Sequence, residues 1–422
     1  MAEWTHYSEI DPEFAPLVDA LPALPVNLPV EEIRGFYNTA TEQRRSKSES
    51  SLPPSSEYTV TEHEIAVGGG VTVLARSIVP TPRDGEDGAF PLLFWIHGGG
   101  FILGDRNMDD YWLRTASVEV RISVVNCEYR LAPEHPYPAA VHDCFAALKF
   151  VASSPEKFSA SLKKGFLVGG TSAGGRLTAV MSHLVRDDPF FNDKPVTGQL
   201  LHIPGVVHHS VVPEKRVADL DVTNKDAPIL SRSGMDHFYA MYKPVPTETK
   251  YSPLLLETHK GLPPAYLQVC GLDPLRDDGL IYEKVLREAN VPTKLEVYPG
   301  VPHGFESVFP HLKQAPAPLV LSPSIGDKNR ETVVPQNLLE TSRSPHASFF
   351  SSQETSAWIQ DAEEEIFKYQ TAIQKLQNDI EQLQWKELAA RRGIARYSSL
   401  IPHPKTSIGG PSSNFLVWVC SK

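Results

Sequence analysis

Apolar residues in the middle of this chain fall in short, nearly unbroken runs. They occupy Leu92 to Ile96, Ile122 to Val125, Phe166 to Val168 and Tyr266 to Val269. Strands that alternate apolar and polar positions have one wet face, whereas continuous runs of this kind belong to strands buried on both faces. Helically spaced segments lie between several of them, for example Ala139 to Ala152 and Gly175 to Asp187. Alternating strands and helices with buried strands predict an α/β fold: a mostly parallel sheet with helices on both sides. Ahead of these runs, Val60 to Val67 alternates loosely, Gly68-Gly69-Gly70 turns the chain, and Val71 to Arg76 returns. That pattern predicts a hairpin.

The texture differs at both ends. Residues 1–57 are interrupted by Pro22, Pro25 and Pro29. Pro29 is placed to open a short helix through Glu31 to Thr41. Glu42 to Ser56 is polar and serine-rich, and reads as a linker or mobile loop. We therefore expect an N-terminal cap segment and linker over 1–57 and a catalytic domain over 58–315. Residues 316–352, rich in Pro, Ser and Thr, have the composition of a disordered linker. Beyond them Ile359, Ile366, Ile373 and Ile380 recur every seven residues, with Ala362, Tyr369, Leu376 and Leu383 three residues later. This is an a/d heptad, expected to make a long helix or coiled coil over 353–392 and to favour self-association through 359–383. Residues 393–422 read as an irregular tail.

Composition narrows the function classes. The 422 residues carry a formal net charge of -11, which disfavours a nucleic-acid partner. Charged residues at 22% and hydrophobic residues at 41% are ordinary for a soluble globular protein. Cys127, Cys144, Cys270 and Cys420 are widely spaced, with neither a CxxC pair nor clustered histidines. Free thiols are the simple reading, and neither a zinc site nor a disulfide framework is expected. The start, Met1-Ala2-Glu3-Trp4, lacks the basic and apolar regions of a secretory signal. No apolar run approaches the ~20 residues of a spanning helix, so a soluble, cytoplasmic protein is expected.

Candidate chemistry lies at the ends of the predicted strands. Gly170-Thr171-Ser172-Ala173-Gly174 matches G-x-S-x-G between a short apolar strand and a helical segment. That is the context of a nucleophile elbow, in which a serine sits on a strained turn. His97-Gly98-Gly99-Gly100 follows Leu92 to Ile96. Its bare backbone could offer the N–H groups of Gly98 and Gly99 to an oxyanion, together with that of Ala173. A plain glycine-rich turn is the alternative. Asp273 closely follows one apolar run, and His303 follows the predicted strand Lys294 to Tyr298. Strand ends are where such sheets place their active sites. The order Ser172, Asp273, His303 is that of an α/β-hydrolase triad. Asp277 and Asp278 compete with Asp273 for the acid role, their simpler use being at the start of the next helix.

Together these motifs resemble the hormone-sensitive-lipase-like group of carboxylesterases. The resemblance rests on HGGG at 97–100, GTSAGG at 170–175, DPLRD at 273–277 and HGF at 303–305, and on Tyr129 to Ala140. It covers about residues 58–312. It implies an eight-stranded, mostly parallel sheet and a helical cap formed by the N-terminal segment and an insertion about 207–250. It also implies cleavage of esters of short to medium acyl chain, with no cofactor and no metal. Phe101, Phe238, Tyr239 and Tyr242 are candidates for the acyl pocket or for simple packing. Two departures stand out. Thr171 takes the place of the family's usual Asp before the nucleophile. After HGF the family has a final helix packed on the sheet; here Glu306 to Ala315 begins one and Pro316-Ala317-Pro318 stops it. Glu363 to Tyr397 loosely resembles the N-terminal heptad region of fungal F-box-like proteins, so the chain reads as a fusion, natural or made by gene prediction.

The expected activity is therefore a serine ester hydrolase acting on a small-molecule ester, with Ser172 as nucleophile, His303 as base and Asp273 as its orienting acid. Three other readings stay open. One is a ligand receptor on the same fold, as in plant gibberellin receptors, which resemble the family but lack the base histidine. Another is an impaired hydrolase whose interactions lie in the C-terminal helix. The third is another acyl-transfer chemistry by the same triad, such as amide or lactone opening.

Overall fold

In the computed structural model, residues 4–20, 28–213, 223–310 and 312–315 are described. The expected linker over 316–352, the heptads and the tail lie outside these residues, as does Cys420. Eight strands form one sheet: β1 (Tyr58–Gly68), β2 (Val71–Pro80), β3 (Leu92–Ile96), β4 (Ser123–Cys127), β5 (Phe166–Thr171), β6 (Gly198–His202), β7 (Ala265–Leu272) and β8 (Thr293–Pro302). Their order is β1-β2-β4-β3-β5-β6-β7-β8. The β1/β2 and β2/β4 pairs are antiparallel and the others parallel. The α/β fold expected from the apolar runs is thus observed, as is the eight-stranded, mostly parallel sheet that the family resemblance implies.

Strand β3 shows why continuous apolarity marks the interior of this sheet. Leu92, Phe94 and Ile96 face one cluster, with residues of α3 (Ala139–Ser153) and α4 (Ala173–Asp187). Leu93 and Trp95 face the opposite cluster, with Leu113 of α2 (Asp110–Val120). Both faces are covered, so no position along the strand can be polar without a partner. The Trp95 indole meets that demand by donating to Asp109 Oδ2 at 2.7 Å.

Strand β6 escaped the apolar pattern, because Gln199 and His202 flank Leu200-Leu201. Both side chains are buried and bonded: Gln199 Nε2 donates to the Pro263 carbonyl at 2.9 Å, and His202 is engaged at both ring nitrogens. Helix α1 (Val30–Ser48) is longer than predicted. The expected linker is helical as far as Ser48, then forms 3-10 turns at Glu49–Ser51 and Ser55–Glu57. Glu, Gln, Arg and Lys are good helix formers, Arg45 pairs with Glu42 at 2.9 Å, and no proline intervenes before Pro53. The segment after HGF differs in the opposite sense. Helix α7 (Phe305–Val308) has four residues, because Pro310 disfavours helical geometry at Phe309.

The chain leaves the sheet after β6 and returns near Tyr251, carrying α5 (Arg232–Tyr242) on the way. Buried Arg176 of α4 ties both ends of this excursion. Its guanidinium donates to the carbonyls of Tyr251 at 2.9 Å and Val207 at 3.3 Å, and lies 4.1 Å from the centre of the Tyr251 ring. Among the described residues, no helix is long and apolar enough to cross a membrane. Arg176→Met should leave the Val207 and Tyr251 carbonyls without these donors and destabilise the fold by about 2 kcal/mol or more. Arg176→Lys should recover only part of this, since a point charge cannot reproduce the planar fork. Denaturant midpoints of the two variants against the parent measure it.

Candidate active site

Ser172 joins β5 to α4 with backbone angles of φ 56° and ψ −112°. A non-glycine residue in this region is strained, and it needs a surrounding structure that over-determines it. The Ser172 N–H donates to the His202 carbonyl at 2.8 Å, and its own carbonyl accepts from the Arg176 N–H at 3.0 Å. The helix must also come very close to β3. A Cβ on Gly174 would overlap the carbonyl oxygen of Ile96, and one on Gly170 would meet Gly174. The G-x-S-x-G pattern is thus a packing requirement as well as a motif.

Asp273 and His303 reach Ser172 from the ends of β7 and β8. His303 Nε2 lies 2.8 Å from Ser172 Oγ, and His303 Nδ1 lies 2.6 Å from Asp273 Oδ2. A carboxylate can only accept, so Nδ1 carries the proton and Nε2 is left as the acceptor facing the hydroxyl. Asp273 is itself fixed, since Oδ1 accepts from the Leu275 N–H at 2.8 Å. Both Asp273 and His303 are buried.

The glycine loop after β3 lies beside the serine, where a Cβ on Gly98 would stand 3.4 Å from Ser172 Cβ. Among the described residues, the N–H groups of Gly98 and Gly99 have no backbone acceptor. Two side chains hold the loop from outside. The Tyr129 hydroxyl is 3.2 Å from the carbonyls of both His97 and Gly98, and its ring stacks on His97 at 4.3 Å. Arg34 of α1 donates to the Ile102 carbonyl at 2.8 Å and the Ala132 carbonyl at 2.7 Å, and pairs with both oxygens of Glu134. The Ala132 N–H in turn donates to the Phe101 carbonyl at 2.9 Å. His97 points Nδ1 at the Gly98 carbonyl at 2.8 Å, and burial pushes its proton affinity down.

The competing carboxylates have other partners. Both lie in the first turn of α6 (Arg276–Glu288), but neither caps it. Asp277 Oδ1 accepts from Arg276 Nε at 2.8 Å, and Asp278 Oδ2 accepts from the Val206 N–H at 2.9 Å. Of the aromatic candidates, Phe101 stacks on Tyr242 at 4.0 Å and Tyr239 packs against His208 at 4.7 Å. The Phe238 ring fills the space where Gly100 would carry a Cβ. Sequence reasoning missed Arg34, Tyr129 as a loop anchor, and the pair His202–Glu306, whose Nε2–Oε1 distance is 2.7 Å. Only Tyr129 had a signal, lying in a stretch already singled out. Cys127, Cys144 and Cys270 are buried free thiols. No group of three or more His, Cys, Asp or Glu side chains suited to a metal ion occurs among the described residues.

The family model for the alpha/beta hydrolase fold matches residues 93–307. An AB hydrolase superfamily protein of Schizosaccharomyces pombe is 34% identical over 312 residues, spanning 72% of this chain and 89% of the relative. Esterase LipI of Mycobacterium tuberculosis is 32% identical, spanning 70% of this chain and 88% of LipI. Among solved structures, vibralactone cyclase superposes with a TM-score of 0.70 at 37% identity, covering 74% of this chain and 92% of the cyclase.

Burial pushes the Asp278 carboxyl up to about 6, overriding the nearby Arg176 cation and the two amides of Val206 and Val207. A carboxyl that holds its proton more tightly when folded costs stability above its unfolded value. The cost is absent at about pH 4 and grows as pH rises to about 6. Asp278→Asn keeps an oxygen acceptor for the amides without the charge. It should raise the thermal unfolding midpoint at pH 7.5, by a gain of order 2 kcal/mol, and leave it unchanged at pH 4. Melting curves of parent and variant at both pH values measure this.

Proposed function

The chain belongs to the α/β-hydrolase-fold family and is a carboxylesterase-like serine hydrolase, and from that premise we propose that it cleaves short-to-medium acyl esters through an acyl-enzyme on Ser172. The observation that carries this reading is the unbroken line Asp273 Oδ2, His303 Nδ1, His303 Nε2, Ser172 Oγ, with separations of 2.6 and 2.8 Å. Nucleophile, base and orienting acid then have the geometry that activates a hydroxyl at neutral pH.

Ser172 Oγ attacks the ester carbonyl while His303 Nε2 takes its proton. Asp273 holds the imidazole in the required tautomer and stabilises the imidazolium as it forms. Negative charge that develops on the carbonyl oxygen is met by the N–H groups of Gly98, Gly99 and Ala173, each such donor being worth about 3 kcal/mol in comparable sites. His303 returns the proton to the leaving alcohol, and water repeats the sequence on the acyl-enzyme. Neither a cofactor nor a metal is needed.

Hydrolysis of p-nitrophenyl esters from acetate to palmitate by the full chain should peak at short acyl chains and vanish in a folded Ser172→Ala variant. Asp273→Asn should lower kcat by about 10³–10⁴, through the wrong imidazole tautomer. Unchanged turnover in purified Ser172→Ala would remove Ser172 from the chemistry.

A further inference from the structure

Beside the Ser172–His303 contact lies a second histidine–carboxylate pair that the mechanism does not use, a buried His202 facing a partly buried Glu306. His202 ends β6, and its Nε2 is 2.7 Å from Glu306 Oε1. Its Nδ1 is 3.1 Å from Gln268 Oε1. The Gln268 amide is oriented by its other end, where Nε2 donates to the Tyr298 hydroxyl at 2.6 Å. An imidazole with an oxygen acceptor at each nitrogen needs a proton on both, so this geometry calls for an imidazolium facing a carboxylate. The electrostatics agree: burial opposes the charge on His202, but Glu306, Asp109 and Gln268 outweigh it and raise its proton affinity.

The pair connects two parts of the site that are otherwise far apart in sequence. The His202 main-chain carbonyl receives the Ser172 N–H, so His202 supports the nucleophile turn. Glu306 stands three residues after His303, in α7, a helix of four residues that is too short to hold its own shape. We propose that His202 and Glu306 are positioning residues, a charged strut that fixes the His303 loop against the Ser172 turn. The strut rests on the proposed role of Ser172 and His303. It exists only while His202 keeps both protons. While Glu306 is ionised, it is therefore complete below the ordinary imidazole value and is lost as pH rises through the raised value of His202. The groups facing the pair are Asp109 and Tyr111 from the start of α2, Thr171 from β5, Gln268 and Cys270 from β7, Tyr298 from β8, and His303 itself.

The test needs a readout of Ser172 reactivity that does not depend on knowing the substrate. An alkyl fluorophosphonate provides one: Ser172 Oγ bonds to phosphorus, fluoride leaves, and His303 takes the hydroxyl proton. Labelling rates are compared for the full chain, Glu306→Gln, and the double variant His202→Asn/Glu306→Gln, with p-nitrophenyl butyrate turnover alongside. Glu306→Gln removes the charge that keeps His202 protonated, so labelling and kcat at pH 8 should fall by at least about tenfold with KM little changed. At pH 5.5 His202 is protonated more often than at pH 8 and can then donate to the new amide oxygen, so the deficit relative to the parent should shrink. The double variant should show no such recovery. A deficit equal at both pH values, or a recovery that persists in the double variant, overturns the strut. The second outcome would assign the effect to the field of Glu306 on His303. If the parent is labelled but hydrolyses no ester, the esterase reading fails while the strut is still measured. A folded parent that is not labelled at all overturns both.

Discussion

The site depends on one serine being held in a backbone conformation that serine does not favour. At φ 56° and ψ −112°, Ser172 projects from the junction of β5 and α4, and the strain is balanced by what surrounds it. The junction closes only because Gly170 and Gly174 carry no side chain where the turn and helix meet each other and Ile96. It stays closed because the Ser172 N–H is captured by His202 on the next strand. The parallel arrangement of β3, β5 and β6 is therefore a condition of the turn. Three adjacent strand ends supply the glycine loop, the serine and the carbonyl that anchors it.

Charge is used inside this molecule as an assembly device. A buried guanidinium or imidazolium is costly unless several acceptors surround it. Arg176 and His202 each meet that cost by joining segments that are distant in sequence: Arg176 the two ends of the excursion carrying α5, His202 the β6 end and α7. Arg34 acts likewise at a partly exposed position, linking α1 to the loop after β3 and to Ala132. Apolar packing is non-directional and tolerates small shifts. Hydrogen bonds from a charged donor fix position and angle, and an active site needs both within fractions of an ångström.

The same distinction explains what was legible in the sequence. Strands β3, β4, β5 and β7 announced themselves because burial on both faces forces continuous apolarity. The elbow and the HGGG loop were readable because close approach of backbone to backbone excludes every residue but glycine. Strand β6 was not readable, because Gln199 and His202 are buried polar residues whose partners, Pro263 and Glu306, are 64 and 104 residues away. No local pattern can encode such a pairing. The extent of α1 was misread for a different reason: serine-rich composition suggested a loop, while the Glu, Gln, Arg and Lys between the serines favour helix. Helix α7 was expected to run on to Ala315 because the weight was placed on Pro316, when Pro310 already stops it.

That short α7 shifts the burden of holding His303 onto parts of the chain that look peripheral. Residues 4–20 run across the end of β8, where the Asp11 N–H donates to the Gly300 carbonyl at 3.0 Å. Gly300 has φ 68°, and a Cβ there would overlap the backbone of Glu9 and Asp11, so the two segments are in direct main-chain contact. Phe14 is buried in one cluster with Tyr298, Val301, Phe305 and Phe309, and Lys313 pairs with Glu13. The loop bearing His303 is thus clamped from one side by the N-terminal segment and from the other by His202. Ser172, by contrast, sits between a strand and a fifteen-residue helix, with its N–H held by the main chain of His202. Perturbation of the site should therefore enter through the base and not through the nucleophile. A displacement that leaves the elbow intact would still open the gap between Ser172 Oγ and His303 Nε2, because the base is followed only by a four-residue helix.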